Sequence, residues 1–197
     1  MSVLLPPQPL DDKRVMKKSR YFFLLLLFAA MASCQTWPTK EISDEFEKIF
    51  DVDATTAKSF TRVALKDCAE DKNYNKYGTK INGITLERVT WQLTAFTAPA
   101  GMPQTISGFI GFKDPEDLTQ PYPFSLTNFE NIDLASLLNK ETDLMLVSST
   151  REMLEYLLTN KCKILISINI YSNRSPVKLT MKLKFYTKTK VRIIGKN

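Results

Sequence analysis

Three cysteines, Cys34, Cys68 and Cys162, have the widest chemical reach in this 197-residue chain. A thiol can be acylated, oxidised to a disulfide or used as a nucleophile. The chain has no histidine. Ser-His-Asp and Cys-His catalysis are thereby removed, together with the commonest metal ligand. The cysteine spacing does not suit zinc, and glycine is too scarce for a phosphate-cradling loop. Paired carboxylates can hydrolyse glycosides, but Glu87, Asp114 and Glu116 stand at uninformative spacings. The expectation is a protein that is not an enzyme, with no catalytic residue, no cofactor and no metal.

The surroundings of Cys34 are the most organised part of the sequence. Lys17, Lys18 and Arg20 precede an uninterrupted apolar run, Tyr21 to Ala32, and small residues close it at Ala29, Ala30, Ala32 and Ser33. That order matches the charged, apolar and cleavage regions of a secretory signal. The run is about a dozen residues, whereas a membrane-spanning helix needs roughly 20. The segment Met31-Ala32-Ser33-Cys34 resembles the lipobox of bacterial lipoproteins, with Met where that family prefers Leu.

The resemblance implies that Cys34 becomes the first mature residue and carries acyl chains, palmitate among them, that tie the protein to a membrane. Two or more chains make such an attachment effectively permanent. In that family an Asp after the cysteine favours inner-membrane retention in some Gram-negative bacteria. Gln35 stands there instead, so the expected address is the cell envelope, on the outer membrane, with the periplasmic or surface side open. Two alternatives remain. Ala30-x-Ala32 also suits ordinary signal cleavage into the periplasm, and an uncleaved segment would leave Cys34 a plain thiol.

The expected organisation follows. Residues 1–15 are a disordered leader or a misassigned start, with Met16 the initiator. Residues 16–33 are a signal peptide, 34–40 a lipidated tether and 41–197 a single β-rich domain. Removing residues 1–33 takes away five basic and two acidic residues, which leaves 22 and 19 and a net charge of +3. The basic isoelectric point therefore belongs partly to the export signal, and nucleic acid is not an expected partner. With Cys34 assigned to lipid, Cys68 and Cys162 form an even pair in an oxidising compartment. They read as a structural disulfide or as two separate thiols, one of them buried.

Glu41 to Asp53 carries Phe46, Ile49 and Phe50 at helical spacing and is expected to contribute a helical piece. Its acids read as a solvated face rather than a calcium loop. Ser59 to Lys66 reads as a strand, and a short helix is expected within Asp67 to Lys80. Ile84 to Thr97 changes the parity of its apolar residues at Glu87-Arg88, where a bulge would restore register. Thr105 to Lys113 should pair with it as a hairpin across the Pro/Gly-containing segment Ala98 to Gln104. A short strand surrounds Phe124 and Leu126. Ser149 and Glu152 match a capping box, which opens a helix expected at about residues 150–159.

Cys162 to Ile170 alternates strictly. After the turn Ser172 to Pro176, alternation resumes from Val177 to Ile193. Seventeen residues would span about 55 Å, so a bend is expected near Tyr186 to Thr189. The two runs are expected to form a hairpin at the centre of the sheet. Lys178, Lys182, Lys184, Lys188, Lys190 and Arg192 share the polar side of the second run. They read as a contact for anionic lipid headgroups or a polyanionic glycan, or as a solvated or edge-guarding face.

The expected fold is an antiparallel β-sandwich with one clear helix and minor N-terminal helical pieces. The expected role is a non-enzymatic binding or structural module with a protein or glycan partner. The alternatives are a carrier holding an apolar ligand in a cavity lined by Trp91, Phe109 and Leu157, and a hydrolase with convergent carboxylates.

Overall fold

The computed structural model describes residues 38–54, 56–97, 103–117, 119 and 123–193. The leader, the signal segment and Cys34 lie outside the described residues. Among the described residues, no helix is long and apolar enough to cross a membrane.

The strands are β1 (Thr39–Ala54), β2 (Ser59–Asp67), β3 (Ile81–Thr97), β4 (Thr105–Lys113), β5 (Phe124–Asp133), β6 (Thr142–Asp143), β7 (Lys163–Ser172) and β8 (Val177–Arg192). Helices α1 (Lys72–Tyr77), α2 (Leu134–Leu137) and α3 (Ser148–Tyr156) are short, and α3 continues into a π-turn, Leu157–Lys161. The first sheet has the order β1-β8-β3-β6 and the second β2-β7-β4-β5. Every strand pairing in both is antiparallel. The fold is mainly β, two four-stranded antiparallel sheets as in a sandwich.

The central strands β7 and β8 carry the core. Ile164, Ile166, Ile168 and Ile170 are fully buried, as are Met181, Leu183 and Phe185. Period-two alternation turns one side of each strand inward. Fully burying such a side chain is worth about 1.5–3 kcal/mol.

Four expectations about the strands change. Glu41 to Asp53 is strand rather than helix: β1 pairs residue by residue with β8 along its whole length. β7 and β8 are not a hairpin, because each sits in the middle of a different sheet. The same is true of β3 and β4. Turn-forming residues report that the chain reverses, not which sheet it enters. Finally, β8 does not break at Tyr186 to Thr189. Thr187 and Thr189 keep the inward parity and are buried, and the irregularity is absorbed by β3. That strand shifts register against β8 between Ile81 and Gly83, Leu86 and Arg88, and Leu93 and Ala95. The middle shift is the bulge that parity places at Glu87-Arg88, and bulges bend a strand and increase its twist.

Helix α3 starts at Ser148 with Val147 as its cap residue and no side-chain capping bond. The Ser149–Glu152 box does not form there. Side chains bind the helix to the outer edge of β3 instead. Arg151 Nη1 donates to the Leu86 carbonyl at 2.6 Å, and Glu155 Oε1 accepts from Leu86 N at 2.8 Å. In the π-turn, Thr159 Oγ1 accepts from Ile84 N at 2.9 Å. The two-residue β6 is too short to cover that edge, and the helix supplies the missing partners.

Candidate functional site

The structure joins Cys68 and Cys162 in a disulfide, with Cα atoms 5.2 Å apart. The bridge extends the β2–β7 ladder, whose last pair is Asp67 with Lys163. Cys68 N also donates to the Cys162 carbonyl at 2.9 Å. Cys162 has φ of 56°, a left-handed conformation that closes the π-turn before β7. The tie fixes the free edge of the second sheet to its central strand.

The lysine row on β8 lies on the outer face of the first sheet, and β1 lays carboxylates beside it. Lys178 meets Asp53 at 2.9 Å, Lys182 meets Glu47 at 3.6 Å, Lys184 meets Glu45 at 2.9 Å and Lys190 meets Glu41 at 3.7 Å. Lys188 pairs with Glu87 of β3. Arg192 differs: its guanidinium donates to the neutral Asn82 Oδ1 at 2.8 Å. The row that reads as an open basic surface is therefore largely a zipper of ion pairs. Glu45 and Glu87, by hydrogen bonding, hold Lys184 and Lys188 protonated to higher pH than an ordinary lysine.

A polar cluster finishes this face at its β6 edge. Glu141 Oε1 accepts from Thr90 Oγ1 at 2.7 Å and from Tyr186 OH at 2.9 Å. Arg88 stacks 4.1 Å from the Tyr186 ring centre and reaches Asp143 at 3.6 Å. The Thr90 bond, then the Tyr186 bond, then the nearby cations hold the Glu141 carboxyl below the usual range. Every group in the cluster has an internal partner, so the arrangement secures the edge of the sheet.

The outer face of the second sheet has a different chemistry. Three cross-strand rows follow from the register: Leu65, Leu165 and Lys113; Val63, Ser167 and Gly111; Thr61, Asn169 and Phe109. Val63 is 60% exposed, Leu65 46% and Tyr171 51%. Thr61, Val63, Phe109, Lys113, Pro123, Leu165, Ser167 and Asn169 line a trough of about 330 Å³. Ser167 Oγ is covered and has no hydrogen-bond partner among the described residues. The trough offers apolar walls, one amide, two hydroxyls and one cation. That mixture suits a partner surface that is apolar with a few polar points.

The edge strand β2 turns charge inward, which discourages indiscriminate pairing. Arg62 Nε donates to the Asp51 carbonyl at 3.2 Å. The Lys66 side chain is 8% exposed, 3.7 Å from Asp71 and 4.9 Å from the Phe46 ring centre. The strand's more apolar parity, Val63 and Leu65, is left facing outward. Sequence reasoning missed this face. The available signal was that Val63 and Leu65 share a parity opposite to Phe60 and Lys66.

No protein family and no curated protein matches this chain.

Trp91, Phe109 and Leu157 do not line a common cavity. Trp91 packs inside the sandwich with its ring 5.1 Å from that of Phe129. Phe109 lies in the trough, and Leu157 lines a groove with Phe124, Met153 and Tyr156. Of the acids, Glu87 stands apart from Asp114 and Glu116, which meet at one lysine. Glu87 serves Lys188, while Asp114 and Glu116 share Lys161 at 3.8 and 3.9 Å.

Proposed function

We propose that the chain is an envelope-anchored lipoprotein, tied by acyl chains on Cys34 to the outer membrane, whose sandwich works as a non-enzymatic binding or structural module. The observation that carries this reading is the sparsely charged, partly apolar outer face of the second sheet. Its large side chains stand exposed on strands that are covalently and sterically held. A rigid sheet face with exposed aliphatic and aromatic groups suits protein recognition, because little ordering entropy is lost on docking. The exposed aliphatic side chains favour a protein over a glycan as the partner.

The two halves of the reading are tested separately. Metabolic labelling with an alkyne fatty acid should mark the wild-type protein and not Cys34→Ala. Crosslinking in intact cells should capture a partner with the wild-type protein and lose it, about tenfold or more, in Val63→Glu/Leu65→Glu. Unchanged capture by a folded double variant would reject the face.

A further inference from the structure

Among the described residues, the end of the sandwich at which β1 begins concentrates positive charge without paired carboxylates. There the start of β1, the end of β8 and the turn before β3 come together, with Val191 opposite both Lys40 and Ile81. A shallow groove of about 180 Å³ has Ile42, Tyr77 and Ile193 among its apolar walls, with Lys40, Lys80 and Arg192 around it. Ile193 is 48% exposed. Among the described residues, no carboxylate lines the groove. Lys40 and Lys80 are exposed and have no ion pair among the described residues. Among the described residues, the Arg192 guanidinium bonds only the neutral Asn82 amide oxygen. The nearest acid in β1, Glu41, is taken by Lys190 at 3.7 Å. The contrast with the paired lysines further along β8 is local and chemical.

We infer that this end of the domain is apposed to anionic phospholipid headgroups, with Lys40, Lys80 and Arg192 meeting phosphate and Ile42, Tyr77 and Ile193 reaching the interface. The inference rests on the anchor reading for its proximity argument. Only Gln35 to Pro38 separate Cys34 from Thr39, and a fully extended chain of that length reaches at most about 18 Å. An acylated Cys34 therefore holds this end within a short distance of the bilayer. Each added cation near an anionic leaflet favours apposition about fivefold, and the effect is screened by salt.

The test uses the full chain isolated from cells in detergent and returned to vesicles. The vesicles contain phosphatidylcholine alone or with about 30% phosphatidylglycerol. Surface lysines are acetylated with an amine-reactive reagent and read by mass spectrometry. Lys40 and Lys80 should be protected about fivefold or more in the anionic vesicles, while Lys140 labels equally in both. Protection should vanish near about 0.5 M salt. In Lys80→Glu, which changes the charge by two, protection of Lys40 should fall about fivefold or more. Equal labelling of Lys40 in both vesicles, or undiminished protection in Lys80→Glu, overturns the assignment. Intact mass of the same sample separates the two failures. Acylated Cys34 without protection removes the surface and keeps the anchor. Protection with an unmodified Cys34 keeps the surface and removes the anchor.

Discussion

The two outer faces of this sandwich are built from the same kind of alternating strand and present opposite chemistry. On the first sheet, β8 offers lysines and β1 answers with carboxylates, so the face is highly charged and nearly neutral overall. On the second sheet, the outward positions of β2, β7 and β4 hold Val63, Leu65, Leu165 and Phe109. Exposed ion pairs carry little stabilisation each, but they keep a sheet face soluble and closed to apolar partners. A sparsely charged face does the reverse. The second sheet leaves this face sparsely charged, with Lys113 at its margin, and its edge is protected by Arg62, Lys66 and a disulfide.

The comparison can be broken most severely through the disulfide. The second sheet depends on Cys68–Cys162, which closes a separation of 94 residues. The chain-entropy estimate for a loop of that size is about 4–5 kcal/mol. Cys162→Ala should lower thermal stability by that order, and reductant should have no further effect on the variant. Next comes Gly108, whose Cβ position is occupied by the Asn169 backbone. Gly108→Ala should cost about 1–3 kcal/mol by forcing β4 from β7, as read by denaturant unfolding. Of similar size is Glu155→Ala, which leaves Leu86 N without its acceptor and should cost about 1–3 kcal/mol.

Smaller effects belong to the charged face. Lys182→Ala removes one exposed pair with Glu47 and should change stability by less than about 1 kcal/mol. A larger loss would mean that the zipper acts cooperatively. Glu141 sharpens the picture by pH. Its folded-state pKa is lowered, chiefly by Thr90 and then by Tyr186. Its stabilisation is therefore complete above the unfolded carboxylate pKa and is lost as pH falls through the folded value. Glu141→Gln should flatten this acid limb of the stability profile and leave neutral-pH behaviour of the second face unchanged.

Much of the scaffold is legible in the sequence. The strict alternation of Cys162 to Ile170 and of Val177 onward marks the two central strands. The parity switch at Glu87-Arg88 marks a real bulge. β1 was hidden because Phe46, Ile49 and Phe50 imitate a helical stripe. Its carboxylates at 41, 45, 47, 51 and 53 share one parity, and that signal matches the lysines of β8. Missing β1 also hid the ion pairs, so the lysine row looked open. The capping box failed because tertiary bonds from Arg151 and Glu155 to β3 set the position of α3 instead. The candidate face was obscure for a related reason. In Ser59 to Lys66 the more apolar parity points outward, whereas Lys66 points inward beneath a ring and a carboxylate. Alternation reveals a strand but does not say which side meets the core.

The most direct test compares two positions of nearly equal exposure on opposite faces, Val63 at 60% and Ile49 at 54%. A photoreactive amino acid is placed at each in turn in the full-length protein, and adducts are read from the membrane fraction of irradiated cells. The account predicts a discrete protein adduct at position 63 and none at position 49. Equal adducts at both positions, or an adduct at 49 alone, would contradict it.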